Sequence, residues 1–323
     1  MSTQPLLTVT GLAKEFAVKG NKSKIKAVDG VSFSLNAGET LGVVGESGSG
    51  KSTLGRLVLR LLEPTTGEII FNGQNISELK PKELRAARRQ MQMIFQDPFA
   101  SLDSRMTIEE LIREPLDIHK IGDEKDRAEL VKNIVGLVGL TADALNRYPH
   151  EFSGGQRQRI SIARAIITKP KLIVADEPVS ALDVSIQSQI LNLMLELRRE
   201  LNLTYIFISH DLSVIQHIAD KVAVMYLGKI VEYAPVEEIF ARPQHPYTKA
   251  LISAVPQMNP ADRTNRTVLI GDIPSPVAQP SGCHFHPRCP IAEAQCSVLE
   301  PQLRTIATAE HQVSCHLATG AVK

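Results

Sequence analysis

The run Gly45-Glu46-Ser47-Gly48-Ser49-Gly50-Lys51-Ser52-Thr53 joins one apolar stretch, Thr40 to Val44, to another, the Arg-punctuated Leu54 to Leu62. A Gly-rich loop ending in Lys-Ser between a buried strand and a helix is the strand–loop–helix setting that the pattern GxxxxGK[ST] requires. Backbone N–H groups around Gly48 to Ser52 are expected to face phosphate oxygens, with the positive end of the helix dipole behind them. Lys51 is then placed for the β- and γ-phosphates of a triphosphate, and the Ser52 hydroxyl for Mg²⁺. The fold class that follows is α/β, a parallel sheet covered by helices.

A second segment, Lys171-Leu172-Ile173-Val174-Ala175-Asp176-Glu177, reads as a short apolar strand closed by two carboxylates, about 125 residues after the lysine. Paired carboxylates there repel one another unless a cation or a substrate proton offsets the repulsion. Asp176 suits the Mg²⁺ shell, and Glu177 suits a base that polarises attacking water. Between the two lies Ser153-Gly154-Gly155-Gln156, followed by an amphipathic, Arg-rich helix from Arg157 to Ile167. Ser153 can cap that helix, and two glycines allow a close approach of backbone to an anion. An ordinary Ser-capped helix would account for the serine but not for the Gly-Gly-Gln.

With these motifs the chain resembles the ATP-binding subunits of ABC transporters, whose signature is SGGQ. Gln96 in Met93-Ile94-Phe95-Gln96-Asp97-Pro98 matches the family's Q-loop, Ser180 to Asp183 its D-loop, and His210 in Ile208-Ser209-His210-Asp211 its switch histidine. The resemblance implies a P-loop NTPase of the ABC ATPase type, with a RecA-like core, an antiparallel β layer and a helical subdomain at about 98–170. It also implies a head-to-tail dimer with ATP between subunits. Gly45, Ser47, Gly48, Ser49, Gly50, Lys51, Ser52 and Thr53 would come from one subunit, and Ser153, Gly154, Gly155, Gln156 and Asp183 from the other. Glu177, His210 and Gln96 would be catalytic, and Ser52, Gln96 and Asp176 would hold Mg²⁺. Phe16 stands where a tyrosine more usually stacks on adenine, and a π face suffices for stacking.

The 323 residues suffice for one large domain plus an appendage, and a net charge of +1 gives no electrostatic argument for a nucleic-acid partner. No apolar run reaches the roughly 18–20 residues that cross a bilayer, and the N-terminus lacks the marks of a signal peptide. The expectation is a cytosolic protein bound peripherally to the inner membrane through other subunits.

After about residue 235 proline becomes frequent and periodicity fades, which divides the chain into a nucleotide-binding domain at 1–235 and a small irregular C-terminal extension at 236–323. His245-Pro246-Tyr247-Thr248 resembles the HPYT segment of ATPases serving dipeptide and oligopeptide importers, and His286-Pro287-Arg288-Cys289-Pro290 extends the match. All four cysteines, Cys283, Cys289, Cys296 and Cys315, lie in this part. A reducing cytosol disfavours disulfides. A 4Fe-4S cluster, zinc and unliganded thiols remain open. The gaps of five, six and eighteen residues suit a cluster better than the close cysteine pairs usual for structural zinc. Loss of such a cluster is expected to reduce stability or assembly more than the chemical step, because the ATP motifs lie far away in sequence.

The reading is an ATP-hydrolysing subunit that powers peptide import. Its partners would be a second ABC ATPase subunit, in this branch commonly a paralogue, two transmembrane permeases and an extracytoplasmic peptide-binding protein. Other small cargoes, nickel or a glutathione-like peptide, are the alternative, although nickel-importer ATPases typically lack this tail. A soluble ABC protein outside transport is the reading from another class.

Overall fold

The computed structural model describes residues 4–18, 20, 24–255, 269, 271–275, 277–306 and 308–318. Its first strands, β1 (Leu7–Ala17) and β2 (Lys24–Leu35), pair antiparallel. Alternation along β2 buries Val31, Phe33 and Leu35 and exposes Ser32 and Ser34, as a one-sided sheet requires. β3 (Thr40–Val44) is buried along its whole length, the pattern of a strand covered on both faces. The P-loop follows it and opens helix α1 (Lys51–Val58). β4 (Thr66–Phe71) and β5 (Gln74–Asn75) complete a four-stranded sheet of order β2-β1-β4-β5.

The helical part begins after α2 (Pro81–Arg88) and β6 (Met91–Ile94), with α3 (Pro98–Ser101), α4 (Ile108–His119) and α5 (Glu124–Leu137). A Thr107/Glu110 capping box starts α4, satisfying backbone donors that the helix itself cannot. The signature helix is α6 (Gly154–Ile166), and α7 (Val184–Leu201) follows β7 (Leu172–Asp176). β8 (Thr204–Ser209), α8 (Leu212–Ile218), β9 (Lys221–Tyr226) and β10 (Lys229–Pro235) lead into the C-terminal segment.

That segment is more regular than its composition implies. It holds helices α9 (Val236–Ala241) and α10 (Pro246–Ser253) and strands β11 (Arg304–Ile306) and β12 (Thr308–Val313). β12 pairs with β10, so the tail extends the main sheet, whose order is β11-β12-β10-β9-β3-β8-β7-β6. Glu232 of β10 is fully buried at this seam. Its carboxylate accepts from the N–H groups of Gln244 and His245 at 2.8 and 2.9 Å and lies 2.8 Å from His311 Nε2. Burial alone would raise the Glu232 carboxyl pKa, but the hydrogen bonds from His311 and the two N–H groups outweigh it and hold the group below its usual range.

Two apolar clusters flank the main sheet. Leu41, Val43, Ile206 and Ile208 pack with α1 and the antiparallel sheet, whereas Tyr205 and Phe207, one residue out of step, pack with the helical side. The two-residue period of the strands assigns each side chain to its face. Among the described residues no helix is long and apolar enough to cross a membrane.

Candidate functional site

Four neighbouring parallel strands, β3, β8, β7 and β6, end on the same side of the sheet. Their carboxyl ends carry, in that spatial order, the P-loop, His210, the Asp176–Glu177 pair and Gln96. Ligands of open α/β sheets bind outside the carboxyl ends of the strands. Residues up to 165 positions apart in the chain (His210 against Gly45) are gathered at this edge by topology alone.

The contacts follow from that placement. The Ser52 hydroxyl donates to Asp176 Oδ1 at 2.8 Å, which joins two hard oxygen donors at the position expected for Mg²⁺. Glu177 Oε2 accepts from Gln96 Nε2 at 3.1 Å and lies 3.3 Å from His210 Nδ1. Glu177 itself is held at φ 47°, a left-handed conformation uncommon for a side chain other than Gly, and its N–H donates to Ile208 O at 3.0 Å. Backbone outliers of this kind cluster at functional sites. Lys51 is 5% exposed and donates to the carbonyls of Gly45 and Glu46 at 2.7 and 2.9 Å. Burial pushes the Lys51 pKa down, against the raising influence of Glu177, Asp176 and Glu46. Burial pushes the Asp176 carboxyl up, with the Ser52 hydrogen bond and the Arg56 cation acting the other way. A buried cation beside two carboxylates at one helix N-terminus is an arrangement made for a charged ligand.

Gly50 precedes α1 with φ 104°, and a Cβ built there would lie 2.1 Å from Ala27 O, so only glycine fits. The N-cap position therefore offers no side chain to the first turn, and the N–H groups of that turn face outward toward the cradle.

The signature segment is built differently. The Ser153 N–H donates to Gln156 Oε1 at 3.1 Å, and the Gln156 N–H to Ser153 Oγ at 3.4 Å, a closed capping box. A Cβ on Gly155 would meet Ile186 Cγ2 of α7 at 2.6 Å. The Gly and the Gln thus have local reasons that the sequence did not reveal. Ser153, Gly154, Gln156 and Asp183 lie wholly or partly open to solvent. Arg157 lies over the exposed Phe99 ring at 4.6 Å, linking this helix to the segment after Gln96. Phe16, 37% exposed near the end of β1, pairs in register with Ile25 and has the Lys14 ammonium 5.3 Å from its ring centroid.

Two residues at the cradle were not foreseen from sequence. The Glu46 N–H donates to Tyr247 Oη at 2.8 Å, and Arg288 Nη1 pairs with Glu46 Oε2 at 2.7 Å. Both belong to the HPYT and HPRC segments, which were visible as motifs but carried no indication of where they would dock. The four cysteines come near one another. Burial, chiefly, pushes the Cys283 thiol up to about 11, with the other three adding to the shift. Cys283 and Cys289 pack against the large core cluster. The metal centre expected at these residues does not find support in this arrangement, because among the described residues no three His, Cys, Asp or Glu side chains stand close enough to hold a metal ion. Cys296 is buried, and Cys283, Cys289 and Cys315 are partly buried.

Comparison with known proteins adds independent findings. The family model described as "ABC transporter" matches residues 28–180, and that for "Oligopeptide/dipeptide transporter, C-terminal region" matches residues 231–296. The oligopeptide transport ATP-binding protein AppF of Bacillus subtilis is 55% identical over 296 residues, 91% of this chain and 90% of AppF. The ATP-binding cassette MJ0796, solved as a dimer in a post-hydrolysis state with ADP and Pi, is 27% identical with a TM-score of 0.65, covering 71% of this chain and 98% of that one. CbiO1 of Clostridium perfringens, part of an ABC transporter complex, is also 27% identical, with a TM-score of 0.66 over 74% of this chain and 92% of that one.

Proposed function

The chain belongs to the ATP-binding subunits of ABC transporters, and on that premise we propose that its ATP hydrolysis drives import of dipeptides or oligopeptides. The observation that carries the ATPase reading is the convergence of Lys51, Ser52, Asp176, Glu177, Gln96 and His210 at four adjacent strand ends. The peptide cargo is supported by the C-terminal match over residues 231–296 and by relatives named for oligopeptide transport.

In this reading Lys51 leaves the carbonyls of Gly45 and Glu46 to meet the β- and γ-phosphates, and the N–H groups at the start of α1 cradle them. Ser52, Asp176 and Gln96 would hold Mg²⁺, which when bound would neutralise charge developing on the phosphoryl oxygens. Glu177 accepts a proton from, or polarises, the attacking water, while His210 and Gln96 fix its carboxylate. Phe16 stacks on the adenine. Ser153, Gly154, Gly155, Gln156 and Asp183 act on the nucleotide of a second ATPase subunit, so closure of the pair completes each site. Gln96 and the adjacent Pro98 to Leu102 face two permease subunits at the cytoplasmic side of the membrane, and an extracytoplasmic binding protein delivers the peptide.

For the cysteines, a 4Fe-4S cluster is part of the same proposal. Its support is the sequence alone: four cysteines confined to this segment, at gaps of five, six and eighteen residues that suit a cluster better than the close pairs usual for zinc. Anaerobically purified protein should contain roughly four irons per chain. Iron-free, colourless protein with an intact tail would end that part of the reading.

The deciding experiment for transport is purification from membranes. Co-isolation with two permeases, and ATPase activity raised by peptide-loaded binding protein, is the expected result. Isolation without any membrane partner would overturn the transport assignment and leave the ATPase.

A further inference from the structure

The phosphate cradle is gripped from outside by the C-terminal segment, and the grip centres on one P-loop residue. Every polar group of Glu46 is engaged. Its N–H donates to Tyr247 Oη at 2.8 Å, and its carbonyl accepts from Lys51 Nζ at 2.9 Å. Its carboxylate forms a two-point pair with Arg288, at 2.7 Å through Nη1 and 3.1 Å through Nη2.

Arg288 is well prepared for this contact. Its side chain is 6% exposed, and its guanidinium carbon lies 5.9 Å from the centroid of the Tyr226 ring. Tyr226, Tyr247 and Phe285 pack on one another with centroids 4.8–5.4 Å apart, forming the wall behind it. The short turn that presents it is closed by the His286 N–H on Cys283 O at 2.9 Å and the Arg288 N–H on Phe285 O at 3.0 Å. The fork geometry of a guanidinium on a carboxylate fixes orientation as well as charge.

The electrostatics give the contact a purpose beyond packing. A carboxylate at the second position of a triphosphate cradle repels its ligand unless a cation cancels it. Glu46 also supplies one of the two carbonyls on which Lys51 rests, so its backbone position sets where the lysine starts. We propose that Arg288 is a positioning residue for the ATP site: together with Tyr247 it holds Glu46 in place and neutralises it, so the C-terminal segment sets nucleotide affinity. The proposal rests on the phosphate-cradle reading of residues 45–53. It gives the segment a role at the nucleotide site beyond the effect on stability or assembly expected from loss of a cluster at its cysteines.

Equilibrium titration of the full chain with ATP and with ADP tests it. Arg288→Ala should weaken ATP binding about tenfold, the size expected for one uncancelled charge at partly screened range, and ADP binding less. Arg288→Lys keeps the charge, loses the fork, and should fall between. The telling variant is the double one. Adding Glu46→Gln to Arg288→Ala removes the repelling charge and should restore most of the ATP affinity. A merely structural arginine would give no such rescue, so a loss that persists in the double variant overturns the proposal, as does wild-type ATP binding by Arg288→Ala. Lys51→Ala, run alongside, separates the two levels. Unchanged ATP binding there would remove the cradle reading itself, whereas its loss with Arg288→Ala unaffected would remove only the role of Arg288.

Discussion

Two helix N-termini of the molecule, those of α1 and α6, are proposed to face anions, and they are finished in opposite ways. At α1 the capping position is Gly50, whose backbone tolerates no side chain, and the first turn receives no side-chain acceptor. At α6 Ser153 and Gln156 satisfy each other in a closed box. An N-terminus left open inside its own subunit awaits a ligand bound by that subunit. One that is already capped folds and persists without a ligand, and its exposed face can wait for a nucleotide carried by another chain. The caps agree with the proposal that α1 binds its own subunit's nucleotide and α6 acts on another's.

Variants at the two ends should separate sharply. The largest effect belongs to the chemistry beside α1: Glu177→Gln should bind ATP yet lose about 10²–10⁴ in turnover, because the amide cannot accept a proton. Single-turnover hydrolysis near the wild-type rate would remove Glu177 from its role. Next comes Lys51→Ala, for which ATP affinity should fall about 10²–10³-fold, the usual consequence of deleting a buried charged partner. Isothermal titration reads this directly.

The effects at α6 should appear in folding rather than in monomer binding. Gly155→Ala forces a methyl against Ile186 and should lower stability by about 1–3 kcal/mol in urea titrations. An unchanged midpoint would show that α7 yields and that the glycine is retained for another reason. Ser153→Ala removes the cap oxygen and should cost about 1 kcal/mol. A larger loss would mean that this end depends on its box more than the geometry implies.

The same contrast explains what could be read from the sequence. Gly-rich loops, apolar strands and a carboxylate pair are local signals, so the elements around β3, α1 and β7 were legible residue by residue. The order β3-β8-β7-β6, which gathers Lys51, His210, Glu177 and Gln96, is set by long-range pairing and was not legible in the sequence; the family resemblance named those residues without their order. β1 runs on to Ala17, well past its apolar start, because register shifts after Val9 let its more polar half keep pairing with β2. Alternation-based reading stops where the pattern is broken by such a shift. The roles of Tyr247 and Arg288 were hidden for a similar reason: neither residue carries a local mark that it will meet Glu46, about 200 or more positions earlier.

The central claim is the division of labour between the two helix ends, and one substitution addresses it directly. Ser153→Arg places a bulky cation at the exposed signature face, so the isolated chain should still bind ATP with wild-type affinity while the ATPase activity of the assembled transporter collapses. Retained binding with lost turnover is the predicted result. Loss of ATP binding by the isolated Ser153→Arg chain, with its fold intact by circular dichroism, would contradict this division, because α6 would then serve the nucleotide of its own subunit.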